Sequence, residues 1–243
     1  MFKEIFENMI KGRKNEKQRK QRKVFRSAMG QLQHICSMDF YECVKKQGVD
    51  ISYKEYQIDV IEYFMSLIRK ELSSCARARF LLGGESGESA VDCCEPLPEC
   101  YYSRTWERNW LCTEKEELIC KKLNTETYIV PWKNQRVVKN FFCLRGEKWK
   151  FVKSNHRAWY YEELGLLYMY NGLHSSSTFV NLEKEAEVLA YHVSLKDVFP
   201  CLRTDGAFWE HVFVGREEEV EDVRFAVLYE FARKKAELLE MTE

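Results

Sequence analysis

Apolar residues recur every three or four positions in three long stretches of the chain. Phe2, Ile5, Phe6, Met9 and Ile10 share one helical face, and Phe25, Met29, Leu32 and Cys36 continue the spacing. This predicts one or two N-terminal helices to about residue 46, ended near Gly48. Ser52 precedes Glu55 at capping-box spacing. The stripe Ile58, Ile61, Phe64, Met65, Ile68 and Leu72 then predicts a helix over 53–73. A third face, Val220, Val223, Val227, Leu228, Phe231 and Leu238, predicts a helix over 217–240.

Between these helices the pattern changes twice. It lapses over 83–100, where three glycines, Pro96 and Pro98 predict a loop or linker. Those glycines are no phosphate loop, because no Gly-Lys-Ser/Thr follows and Glu85 and Glu88 would repel phosphate. Short elements then alternate. Helices are expected over 114–122 behind Thr113, over 132–144 and over 175–184. Strands are expected over 127–130, 149–152, 166–170, 187–193 and 209–214. The fold class is therefore α+β: a helical region over 1–82, a linker over 83–104, and over 105–243 a small mixed sheet closed by a C-terminal helix.

Charge narrows the field little. The 243 residues carry 38 Lys+Arg and 38 Asp+Glu, so net charge argues for no partner class. Two local runs stand out: the basic stretch 11–26, and the acidic Glu217, Glu218, Glu219, Glu221 and Asp222. The basic stretch could track a nucleic-acid backbone, or dock on the acidic run or on a partner. The terminal helices could also supply a protein-partner or homodimer surface. No signal peptide and no apolar run of about 18 residues is visible, so a cytoplasmic protein is expected, with no membrane contact. The ten cysteines are then expected to be reduced. Cys93, Cys94, Cys100 and Cys112 come nearest to a metal cluster, but their spacing fits no zinc pattern, and no metal is expected. Cys36, Cys120, Cys143 and Cys201 read as core residues.

The one hint of chemistry lies at Leu166–Val180. An apolar strand stops at Asn171-Gly172, a pair that tolerates positive φ. His174, Ser175, Ser176, Ser177 and Thr178 follow, with hydroxyls and backbone N–H groups suited to an anion at a helix start. A second polar cluster is Ser154-Asn155-His156-Arg157, in which His156 could act as acid or base. The plainer alternatives are a connecting turn at 171–178 and a solvated turn at 154–157.

The strand, Asn171-Gly172-x-His174 turn and helix order resembles the ParB/sulfiredoxin-like superfamily over about residues 127–195. There the Asp/Asn-Gly-x-His-Arg turn grips nucleotide phosphates. The resemblance implies that Asn171, Gly172 and His174 form the turn and that the backbone of Ser175–Thr178 faces the anion. Ser175 stands where that motif has Arg, so a second cation must replace the fork, and Arg157 and Arg136 are the candidates. Leu173 stands where sulfiredoxins carry their reactive Cys, so redox chemistry is not expected. The chain also resembles bacterial proteins with an Asn-Gly-x-His-Ser motif and no established function.

The expectation is thus a bacterial or phage-type protein binding a nucleotide or nucleic-acid phosphate at 171–178, without a resident cofactor. His174 and His156 are the candidate catalytic residues for phosphoryl transfer or phosphodiester hydrolysis. Asn171, Gly172, Ser175, Ser176, Ser177, Asn155, Arg157 and Arg136 are the candidate ligand-binding residues. The alternative is a non-enzymatic interaction module.

Overall fold

The computed structural model describes residues 2–82, 95–114 and 117–241. In chain order, helices α1 (Phe2–Ile35), α2 (Met38–Lys45) and α3 (Tyr53–Leu82) come first. Strands β1 (Cys100–Tyr102), β2 (Arg108–Trp110) and β3 (Leu118–Lys122) precede helix α4 (Asn134–Leu144). Strands β4 (Ala158–Tyr161) and β5 (Leu166–Met169) lead into helix α5 (Leu173–Asn181) and strand β6 (Glu187–Val193). Strands β7 (Leu202–Thr204), β8 (Phe208–His211) and β9 (Arg216–Glu219) lead into helix α6 (Val223–Glu240). Helices and mixed sheet together make the fold α+β.

The chain divides into two compact units, and α3 contributes to both. The first contains residues 1–63, 95–109 and 198–243. Its antiparallel sheet has the order β7-β8-β9, and α6 buries Phe225, Leu228, Tyr229 and Phe231. The Tyr229 hydroxyl donates to Leu202 O at 3.0 Å. Ser52 and Glu55 form the expected capping box: Glu55 N donates to Ser52 Oγ at 3.2 Å, and Ser52 N to Glu55 Oε2 at 3.1 Å. The acidic run does receive the basic stretch. Lys14 Nζ lies 2.5 Å from Glu219 Oε1, and Gln21 Nε2 donates to Val220 O at 2.9 Å. At Gly206, φ +89°, a Cβ would lie 2.3 Å from Phe25 Cβ, so only glycine lets α1 come this close.

The second unit contains residues 64–94 and 110–197. Its sheet has the order β3-β6-β4-β5. Strands β4 and β6 run parallel; the other pairs are antiparallel. The β5–α5–β6 passage thus carries the predicted strand, helix, strand order within one sheet. Ile129, Leu167, Met169, Phe179, Val188 and Ala190 form the core under α5. Helix α3 meets the 124–127 loop through polar groups. Arg69 Nε donates to Glu126 Oε2 at 2.7 Å, Ser66 Oγ to Glu126 Oε1 at 2.6 Å, and Ser73 Oγ to Glu126 O at 2.8 Å.

Several expectations need correction. Residues 118–122 form strand β3, not a helix, because pairing with β6 overrides local preference. Residues 127–130 are a buried extended segment with one parallel bridge, Tyr128 to Tyr168, rather than a strand. Residues 149–152 are irregular: Trp149 instead packs across Phe179, ring centroids 4.9 Å apart. The acidic run begins as β9, turned by Gly215 at φ +64°, so α6 starts only at Val223. Strands β1, β2, β4 and β7 are not among the expected strands. Cys201 is buried, but Cys36 is half-buried and Cys120 and Cys143 are exposed. Most of the expected 83–104 linker, with Cys93 and Cys94, lies outside the described residues.

Candidate functional site

The turn between β5 and α5 is built from its glycine outward. Gly172 is the N-cap of α5 at φ 73°, ψ 21°, with no side chain to cap the helix. A Cβ there would lie 2.5 Å from His156 Cδ2 and 2.8 Å from Asn155 O. Glycine therefore satisfies both the positive φ and the close approach of the 154–157 loop. Asn171 Oδ1 accepts from Gly172 N at 2.8 Å, fixing the turn. The first bond along the helix is Ser176 N to Gly172 O, 3.1 Å. The N–H groups of Leu173, His174 and Ser175 therefore have no acceptor within the helix and carry its partial positive charge.

His156 is a fixed neutral ring. Its Nδ1 accepts from Val152 N at 2.9 Å, so the proton sits on Nε2, which is 3.1 Å from Ser175 Oγ. Ser175 Oγ in turn donates to Gly172 O at 3.1 Å. Burial pushes the His156 pKa down, in line with this role. His174 is also neutral by its surroundings: burial lowers its pKa first, and Arg136 and Lys133 add to the effect. Its Nε2 accepts from Lys133 N at 3.1 Å, and its ring meets Trp132 edge-on at 5.5 Å.

Arg136, Asn155, Asn171, Gly172, His174 and Ser175 line one cleft of about 650 Å³ between α4 and the start of α5. Trp132, Lys139 and Tyr170 line it too, and none of these was singled out from the sequence. No carboxylate lines it. Among the described residues no ion-pair partner approaches Arg136 or Lys139. Arg136 lies over the Trp132 ring, 5.5 Å from its centroid, and Lys133 Nζ is 4.5 Å from the same centroid.

The remaining candidates fall elsewhere. His156 and Arg157 line an adjoining cleft of about 470 Å³. Arg157 Nη1 is engaged by Glu114 Oε1 at 2.7 Å. Ser176 and Ser177 are fully buried, line neither cleft, and their hydroxyl oxygens have no partner among the described residues. Thr178 Oγ1 donates to His174 O at 2.8 Å. The hydroxyls of the turn thus hold the turn itself together or lie buried, while residues of the turn and of α4 line the cleft. A signal for the missed residues was present: residues 132–157 hold Lys133, Arg136, Lys139, Arg145, Lys148, Lys150, Lys153 and Arg157 against Glu147 alone, interleaved with Trp132, Phe141, Phe142, Trp149 and Phe151.

Among the described residues no group of three His, Cys, Asp or Glu side chains is placed to hold a metal ion. No described helix is long and apolar enough to cross a membrane. Residues 10–241 match a family of unknown function, DUF6710, and the chain belongs to that family. No curated protein and no solved structure matches it.

Proposed function

We propose that the cleft between α4 and the start of α5 binds a phosphate-bearing ligand, a nucleotide or the end of a nucleic acid. One coincidence carries this reading. The start of α5, with three N–H groups that have no acceptor within the helix, lines the same cleft as Arg136 and Lys139, and that lining has no carboxylate. The ParB/sulfiredoxin-like resemblance points to the same turn. Ser175 occupies that motif's Arg position, with its hydroxyl already engaged by His156 and Gly172, so the guanidinium comes from Arg136 on α4 instead. Arg157, engaged by Glu114, is the weaker candidate for that place. Of the two histidines, His174 is the one suited to proton transfer. Its Nδ1 has no partner among the described residues, whereas both His156 nitrogens are engaged. A phosphoryl-transfer or phosphodiesterase activity would therefore run through His174.

The rival reading, an interaction module using the terminal helices, draws on a surface that the first unit already uses. Lys14, Gln21 and Arg22 of α1 are engaged by Glu219, Val220 and Asp205. The test is a thermal-shift and calorimetric titration with inorganic phosphate and a nucleoside monophosphate. Both should raise the melting temperature. Arg136→Ala should weaken binding about tenfold, the loss of one charge-assisted hydrogen bond of about 1.5 kcal/mol. His174→Ala should weaken binding while the protein stays folded, with some stability lost because Lys133 N then lacks its acceptor. If neither ligand shifts the melting temperature, the interaction-module reading replaces this one.

A further inference from the structure

Resting on the phosphate reading above, we propose that the ligand is a single-stranded nucleic acid. It crosses the 154–157 loop from the α5 cleft into the adjoining one and stacks its bases on the aromatic rings that line the two, Tyr170, Tyr191 and Phe151.

Three observations meet here. First, the two clefts share a wall one loop thick. Asn155 lines the α5 cleft, its neighbours Ser154 and His156 line the other, and His156 is bonded to Ser175 of the first. Second, the clefts match in chemistry. Each holds two cations, Arg136 and Lys139 in one, Lys153 and Arg157 in the other, and neither lining contains a carboxylate. That is the electrostatics of a phosphate backbone passing through both. Third, rings connect them. Tyr170 of the α5 cleft stacks on Trp159, centroids 5.2 Å apart at 20°. Trp159 meets Tyr191 of the second cleft at 5.0 Å and 39°. Tyr191 and Trp159 are register partners on β6 and β4, so the ladder lies across one sheet face. Phe151, on the second cleft's lining, adds another ring.

Stacking on a sheet's aromatic face together with a basic track is how single strands are held without reading their sequence. A mononucleotide would engage one cleft; a strand engages both. Glu114 stands at the boundary, its Oε1 accepting from Arg157 Nη1 at 2.7 Å and from Tyr170 Oη at 3.1 Å. A strand must compete with that carboxylate for Arg157.

The experiment measures binding of thymidine 5′-monophosphate and of 5′-phosphorylated oligo-dT, two and six nucleotides long, to the full chain. The hexamer should bind at least about tenfold tighter than the monophosphate. Its logarithmic salt dependence should steepen by about 0.7 for each further phosphate engaged. Lys153→Glu and Tyr191→Ala should reduce the hexamer to the level of the monophosphate and leave monophosphate binding unchanged. Phe151→Ser is the second variant should Tyr191→Ala fail to fold. Glu114→Gln should tighten the hexamer and not the monophosphate. Equal binding of monophosphate and hexamer overturns the strand and leaves the phosphate reading standing; failure of both probes overturns the two together. Lys153-dependent binding to phosphatidylserine vesicles without hexamer binding overturns it in favour of an anionic membrane surface.

Discussion

At Gly172 any side chain meets backbone and ring atoms, since a Cβ would lie 2.8 Å from Asn155 O and 2.5 Å from His156 Cδ2. Gly172→Val should therefore destabilise the second unit by about 3 kcal/mol through φ strain and the clash, measured as a fall in the urea midpoint. The histidines add a pH dependence whose sign follows from their environment. Burial depresses the pKa of both His156 and His174 below the ordinary value. The unfolded chain then takes up protons first as pH falls through about 6.5, and stability present above that pH is lost below it. Protonation of His156 at Nδ1 also removes the acceptor for Val152 N. Urea titrations at pH 7.5 and 5.5 should show the loss, and His156→Asn should lessen it, leaving the His174 part. The turn was legible at this scale because Asn-Gly, His and Ser sit side by side in the sequence. The cations facing it were harder to read, because Lys139 and Arg136 lie over 30 positions away on another helix, and only folding brings them to His174.

Helices with a clear apolar stripe and a cap were read well: α3 begins at Tyr53, directly after its Ser52 cap. Of the short elements, β5, α5, β6 and β8 lie where their patterns place them, whereas β3 and β9 do not, for one shared reason. Strand β3 spells Leu-Ile-Cys-Lys-Lys and β9 spells Arg-Glu-Glu-Glu, sequences with little strand preference of their own. They are strands because a neighbour pairs with them, β6 in one case and β8 in the other. Between elements, a polar joint links α3 to the 124–127 loop. The side chain of Arg69 is 6% exposed and Glu126 completes its pairing. Burial alone would raise the Glu126 carboxyl pKa, but the Ser66 hydroxyl and Arg69 guanidinium outweigh it and hold it below its usual value. Removing one partner leaves the other charge buried and uncompensated. Arg69→Met or Glu126→Gln should thus cost about 3 kcal/mol. Thermal melts of each single variant check this, and the double variant should lose less than the sum.

At the scale of the molecule, the first unit draws its stability from apolar contacts more than from its visible charge pairs. Lys14 and Glu219 are both about half exposed, 55% and 45% of their side chains. Lys14→Ala should therefore change stability by less than about 1 kcal/mol. Phe25 is 8% exposed and fits against Gly206, so Phe25→Ala should cost about 3 kcal/mol or more, read from the same chemical denaturation curves. The contact between α1 and the segment before α6 has a further consequence, one of timing. Gln21 bonds to a residue 199 positions later. On the ribosome α1 must therefore wait for residues 199 positions further along the chain before this contact can form. Local pairing can begin earlier in the second unit, whose residues 110–197 form one uninterrupted stretch. Distant contacts slow folding, so refolding should show a slow phase that Phe25→Ala alters and Gly172→Val does not. A nascent chain halted at residue 197 should hold α1 open to chaperones and proteases.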